Sequence, residues 1–281
     1  MINYVFFGTD DFSVTILEKL KESGFLPNCI VTMPDRPKGR GLVLTPPPVK
    51  EWALAHSISV LQPTMLDSAF FHTLHDTQYT FFVVASYGLM IPKEIVSLPE
   101  KGALNVHPSL LPKYRGATPI ESQILSDEKE QGVTIILMDE EMDHGPIVAQ
   151  KQIGSSPYPK ASELRKIMAE EGGILLSKIL PKWVNGEIIP LQQDDSKATY
   201  TKKLKKSDGE LDLTGDPLQN FLKIQAFAGS IGTYFFVERS GKKMRVTVKE
   251  ARFEHERLHI LRVVPEGKKE MSYAEFLRGQ S

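Results

Sequence analysis

The sequence predicts an α/β protein: a doubly wound, mostly parallel Rossmann-like sheet, followed by a small β-rich C-terminal domain. Three observations carry this reading. Strand-like and helix-like segments alternate through residues 1–150, the pattern of βαβ units. Residues 81–86 (FFVVAS) are an unbroken apolar run, as in a strand covered on both faces. After residue 233, apolar and polar residues alternate in three segments, the period of a half-buried antiparallel sheet.

The elements are expected in the following order. Residues 2–9 form a strand that ends around Gly8, and residues 11–23 place Phe12, Ile16, Leu17 and Leu20 on one helical face. A strand at 28–33, a helix at 48–57 opening on Pro48 and a short strand at 59–62 follow. After 81–86 come strands at 102–107 and 132–138. A helix over 160–180 carries Leu164, Ile167, Met168, Leu175, Leu176 and Ile179 on one face and is expected to stop before Pro181. Gly172 and Gly173 within it point to a close neighbour or a kink. The chain then turns polar, which gives a first domain at 1–190, a linker at 191–216 and a C-terminal domain at 217–281. That last part reads as a helix at 217–227, strands at 233–238, 244–250 and 258–264, and a short tail helix capped by Ser272.

Composition narrows the function classes. Of 281 residues, 41% are hydrophobic and 25% charged, enough apolar material for a core. No apolar run reaches the ~18 residues of a membrane span, and the first residues lack the pattern of a secretory signal, so a cytoplasmic location is expected. A single cysteine, Cys29, makes neither an internal disulfide nor a cysteine zinc cage. Net charge is −1, but residues 201–281 carry +5 and the remainder −6. That split is compatible with a nucleic-acid contact, but charge alone favours an uneven solvated surface. Gly8-Thr9-Asp10-Asp11-Phe12 is not G-x-G-x-x-G, and no phosphate-loop pattern exists, which argues against a dinucleotide. His144 has no partner at ligand spacing, so no metal is expected.

The 102–107 strand delivers polar groups at its carboxyl end, where open α/β sheets bind ligands. Asn105 and His107 are two apart and point to one side. Asp143, in the acidic loop after the next strand, reaches the same place. An amide, an imidazole and a carboxylate suit acyl transfer to an amine. The amide donates to a developing oxyanion. The imidazole donates to it or moves protons, and the carboxylate fixes the imidazole and accepts the amine's proton. The amine attacks, so no side-chain nucleophile is needed. Taken alone, such residues more often serve as a turn cap, a satisfied core histidine and a solvated acid.

Longer strings carry more. NVHPSLLPKYRGATPI (105–120) and GVTIILMDEEMDHGPI (132–147) resemble the signature of the folate-dependent formyltransferases, through N-x-H, S-L-L-P, aromatic-Arg-Gly and D-x-G. The resemblance implies a formyltransferase catalytic domain at 1–190 and 10-formyltetrahydrofolate as co-substrate. It implies catalytic roles for Asn105, His107 and Asp143. It also implies folate contacts from Ser109, Leu110, Leu111 and Pro112, and from the backbone around Tyr87, Gly88, Leu89 and Met90 in ASYGLMIP (85–92). MPDRPKGRGLVLTPPPVK (33–50) is similar to the insertion loop of the branch that acts on tRNA, and VVPEGKKEMSYAEFLRG (263–279) resembles the end of its OB-like C-terminal domain. Methionyl-tRNA is the implied acceptor and aminoacylated initiator tRNA the implied partner. The C-terminal domain is shortened, with room for fewer strands than the five of an OB closure. Ala228-Gly229-Ser230-Ile231-Gly232 stands where the family has an Asn-Pro-Trp-Pro-Gly-like turn. Transfer to a small amine, an amino-sugar nucleotide or glycinamide ribonucleotide, and release of formate to water are the alternatives.

Two basic segments complete the expectations. Residues 33–50 hold five prolines and two glycines beside Arg36, Lys38 and Arg40, and are expected to form no regular element. A long loop at the mouth of a sheet points to function, and its cations suit tRNA phosphates. Lys242 and Lys243, with Arg245 and Lys249 nearby, are a second candidate groove for phosphates. A monomer is expected.

Overall fold

The computed structural model describes residues 2–39, 41–75, 77–154, 157–239 and 241–279. The chain divides into two compact units. One takes Met1–Gly116, Glu130–Ile153 and Arg165–Tyr200, and the other takes Ala117–Lys129, Gly154–Leu164 and Thr201–Ser281. In chain order the elements are β1 (Tyr4–Gly8), α1 (Asp11–Glu22), β2 (Cys29–Val31), β3 (Arg36–Lys38), β4 (Val43–Thr45), α2 (Pro48–Ala55), β5 (Ser59–Leu61), α3 (Ser68–His75), β6 (Phe81–Ala85), α4 (Lys93–Val96) and β7 (Ala103–His107). They continue as β8 (Arg115–Gly116), α5 (Pro119–Leu125), β9 (Gln131–Leu137), β10 (Ile147–Ile153), α6 (Ala161–Val184), β11 (Tyr200–Thr201), α7 (Pro217–Phe227), β12 (Thr233–Arg239), β13 (Lys242–Glu254), β14 (Arg257–Pro265), β15 (Met271–Ser272) and α8 (Tyr273–Arg278).

The first unit is built on a seven-stranded sheet in the order β10-β9-β7-β6-β1-β2-β5. The strands β5, β2, β1, β6 and β7 are parallel, while β9 runs against β7 and β10 against β9. The order reverses between β1 and β6, so the crevice beyond Gly8, Ala85 and His107 is where such a sheet takes a ligand. Residues of β1 and β6 are buried on both faces, as their apolar runs require. Asp10 caps α1 itself, its carboxylate accepting from Ser13 N at 3.3 Å and from Ser86 Oγ at 2.7 Å. This carboxylate fills the helix N-terminus that a dinucleotide phosphate occupies in other doubly wound folds.

Three expectations need correction. α6 continues past Pro181 to Val184, because the last turn is held by packing: Trp183 is buried and its Nε1 donates to Lys101 O at 3.2 Å. Ile167 is 39% exposed and lies off the buried face. Residues 33–50 contain a regular element after all, the antiparallel hairpin β3–β4. Pro37 is tolerated because a two-stranded ladder leaves each strand an open edge. The hairpin's base is pinned where Asp35 accepts from Lys50 Nζ at 2.8 Å and from Gln62 Nε2 at 2.8 Å. The helices α3 and α4 and strand β10 had no counterpart in the expected order. Gly172 and Gly173 prove to be sites of close approach: a Cβ there would lie 2.7 Å from Val106 and 2.7 Å from Lys19 respectively.

In the second unit β12, β13, β14 and β15 form a four-stranded antiparallel sheet in sequence order, one strand short of an OB closure. Its core is Leu211, Ile224, Phe235, Val246, Val248, Val263 and Phe276. Ser272 caps α8 in a reciprocal box with Glu275.

Candidate active site

Asn105 and His107 leave the end of β7 on one face, as the two-residue period demands. Asp143 arrives from the turn between β9 and β10. Asn105 Nδ2 donates to Asp143 Oδ1 at 3.2 Å, and His107 Nδ1 lies 3.4 Å from the same oxygen. Asp143 Oδ2 accepts from Gly116 N–H at 2.7 Å. The other imidazole nitrogen, Nε2, faces Tyr114 O at 3.0 Å. Both ring nitrogens therefore face oxygen atoms. Burial pushes the Asp143 carboxyl up. The charge and hydrogen bond of His107, the Gly116 N–H and the Arg115 guanidinium outweigh it, and the net value lies below the usual carboxylate range. The second hydrogen of the Asn105 amide has no hydrogen-bond partner among the described residues.

The turn that presents Asp143 is strained. Its φ is +54°, a region disfavoured for a residue with a Cβ. Arg115 supports it from behind: it is 2% exposed, and its guanidinium donates to Gln193 Oε1 at 2.8 Å, Asp195 Oδ1 at 2.7 Å and Tyr200 OH at 3.3 Å. Asp195 is held below the usual carboxylate range chiefly by the Arg115 hydrogen bond. His144 bonds Asp139 through Nδ1 at 2.6 Å, which raises its imidazole above the ordinary value.

The remaining candidates fall in several places. Ser109 Oγ donates to Lys113 O, and Thr134 Oγ1 donates to Ser109 O while accepting from Leu111 N–H. These bonds fix the backbone of Ser109, Leu110, Leu111 and Pro112 beside His107. Leu110 packs where a Cβ on Gly132 would come within 2.4 Å of it. Tyr87 turns its ring into the core against Phe7 and offers the crevice backbone only, its carbonyl accepting from Thr9 Oγ1 at 2.5 Å. Burial pushes its phenol up to about 12. Gly88 takes φ +102°, Leu89 packs on the same core, and Met90 is 67% exposed. Arg36 and Lys38 are exposed on β3, and Arg40 lies outside the described residues. Lys243 lies 4.0 Å over the Phe236 ring and Arg245 3.7 Å over Tyr234, on the face opposite the core. Strand alternation turns Lys242 to the other side from Lys243. Sequence reasoning assigned no role to Arg115, Gln193, Asp195 or Thr134. Arg115 carried a signal, the Arg-Gly after S-L-L-P; Gln193 carried none. Among the described residues no group of three or more His, Cys, Asp or Glu could hold a metal ion, and no helix is long and apolar enough to cross a membrane.

An amide, an imidazole and a carboxylate meet beyond the end of β7, and the "Formyl transferase" family model matches residues 2–180. A methionyl-tRNA formyltransferase of Dictyoglomus thermophilum is 37% identical over 300 residues, covering 98% of this chain and 96% of its own. One of Chloroflexus aurantiacus is 46% identical over 209 residues, 74% of this chain and 67% of its own. The chain belongs to this family, among the methionyl-tRNA formyltransferases. Among solved structures, an N-formyltransferase of Helicobacter canadensis in complex with folinic acid and dTDP-3-aminofucose shares the fold. Its TM-score is 0.64 at 19% identity, over 92% of this chain and 95% of that one.

Proposed function

We propose that this enzyme transfers the formyl group of 10-formyltetrahydrofolate to the α-amino group of methionyl-tRNA. The observation that carries the reading is the 37% identity to a methionyl-tRNA formyltransferase over nearly the whole of both chains. The convergence of Asn105, His107 and Asp143 on one shared oxygen supports it chemically. Residues 1–190 form the catalytic domain and 217–281 the OB-like domain that meets tRNA, in a cytoplasmic monomer without a metal.

The co-substrate lies along the 86–90 turn, where Gly88 adds no side chain, and along Ser109, Leu110, Leu111 and Pro112. It supplies the formyl carbon. Asn105 gives its free amide hydrogen to the formyl oxygen as negative charge develops there. His107, held between Asp143 Oδ1 and Tyr114 O, assists Asn105 at that oxygen. Asp143 keeps the imidazole in place and takes the proton of the attacking amine, by way of water, for return to the leaving nitrogen. A free α-amino group titrates at about 7.7–8.0, so neutral amine is present near pH 7. No covalent adduct with the enzyme forms.

The test is a transfer assay with labelled formyl donor and four acceptors: methionyl-tRNA, deacylated tRNA, an amino-sugar nucleotide and water. Methionyl-tRNA alone is expected to be formylated. Formylation of the sugar only, or formate released as fast without any amine, would sink the reading. A double charge reversal on the hairpin, Arg36→Glu with Lys38→Glu, is expected to raise KM for methionyl-tRNA by about tenfold or more. The same variant should lower the slope of log affinity against log salt by roughly 1–2. An unchanged KM would remove β3 from the tRNA contact.

A further inference from the structure

We propose that Gln193 is a positioning residue for formyl transfer: it holds the backbone of the Asp143 turn so that the carboxylate meets Asn105 and His107. The proposal rests on the role given to Asp143 above. Gln193 Oε1 accepts from Arg115 Nε at 3.1 Å and from Nη2 at 2.8 Å. A guanidinium has donors only, so this pairing settles which end of the amide is oxygen. The nitrogen then faces the other way. It donates to the carbonyls of Asp143 and Gly145, each at 2.8 Å, across 50 residues of sequence from the first of them.

Those two bonds bracket a turn whose own side-chain ties run from Asp139, to Glu141 N–H at 3.0 Å and to His144 Nδ1 at 2.6 Å, and stop short of the Asp143 and Gly145 carbonyls. Asp143 sits at φ +54°, and a Cβ on Gly145 would lie 1.9 Å from Leu137 O, so the turn is pressed against the end of β9. Backbone of this kind persists where several contacts over-determine it. The Asp143 carboxylate supplies some of them, through Gly116 N–H, Asn105 Nδ2 and His107 Nδ1. Gln193 supplies two more, at the backbone on either side of His144. Asp195 adds a weaker tie, its Oδ2 3.5 Å from His144 Nε2. Gln193 reaches the Asp143 main chain and not its carboxylate, so it acts through Asp143 and not on the reacting atoms.

Gln193→Glu separates the two ends of the side chain. It keeps an acceptor for Arg115 and replaces the donors with an oxygen facing two carbonyls. In steady-state transfer from formyl-folate to methionyl-tRNA, kcat is expected to fall about tenfold or more, with KM for both substrates within about threefold of wild type. Gln193→Met, which removes donors and acceptor together, is expected to show the same split with a lower Tm, and serves if the glutamate variant does not fold. Asp143→Asn is measured alongside. In that background Gln193→Glu is expected to change the residual rate by less than about twofold, because the carboxylate to be positioned is gone. Any of four results overturns the proposal: kcat of Gln193→Glu within twofold of wild type, a loss confined to KM, equal fold losses in both backgrounds, or loss of the folded state in both Gln193 variants. Near-normal turnover of Asp143→Asn is a different result, and defeats the role of Asp143 itself.

Discussion

Asn105→Ala is expected to lower turnover by two to three orders of magnitude. The wild-type amide gives one hydrogen to Asp143 Oδ1 at 3.2 Å, which fixes its plane and leaves the other for the formyl oxygen. Removing a single pre-aimed oxyanion donor typically costs roughly 2.7–4 kcal/mol of transition-state stabilisation. The contact strengthens as charge moves onto the formyl oxygen, so kcat and kcat/KM fall together and KM for either substrate moves little. The fold is expected to survive, because Asp143 keeps Gly116 N–H and His107, and the Asn105 side chain is only part-buried. Single-turnover transfer separates this chemical step from product release. Turnover within tenfold of wild type would remove Asn105 from the catalytic set.

The sheet was legible because its strands are nearly pure apolar runs. Residues 81–86 read as a strand covered on both faces, and the Asn-x-His at the end of the 102–107 strand was visible as two polar groups on one side. The hairpin β3–β4 was not legible, since prolines and glycines at that density normally exclude regular structure. What makes it regular is an anchor 15 and 27 residues away, Lys50 and Gln62 on Asp35. The end of α6 was misread for a similar reason: Pro181 lacks a donor, but burial of Trp183 decides the last turn. At the site the three chemical groups were legible as residue types at a spacing. Their support was not: Gln193 and Asp195 lie in a polar stretch read as linker, and only the tertiary fold brings that stretch behind the Asp143 turn. Resemblance supplied the Arg-Gly at 115–116 without its reason, which is a buried guanidinium with three side-chain partners.

Asp143→Asn is expected to be the more damaging change, with turnover lower by about 10⁴, the upper end of what a positioned acid or base contributes. Two functions go at once. The amide does not accept the amine's proton, and its NH₂ faces donors on every side, from Gly116 N–H, Asn105 Nδ2 or His107 Nδ1. At least one of these contacts is lost in either orientation of the amide, so the strained turn loosens as well. The change also carries a pH signature with a definite sign. The folded carboxyl lies below its ordinary value, so its stabilising effect is present above the unfolded pKa of about 3.9 and is lost as pH falls through the folded value. Thermal unfolding followed from pH 7 down to about pH 3 should therefore show wild type above the variant at neutral pH, with the gap closing on acidification below about pH 4. A gap that stays constant across that range would mean that the ionised carboxylate is not what the Gly116 and His107 contacts hold in place.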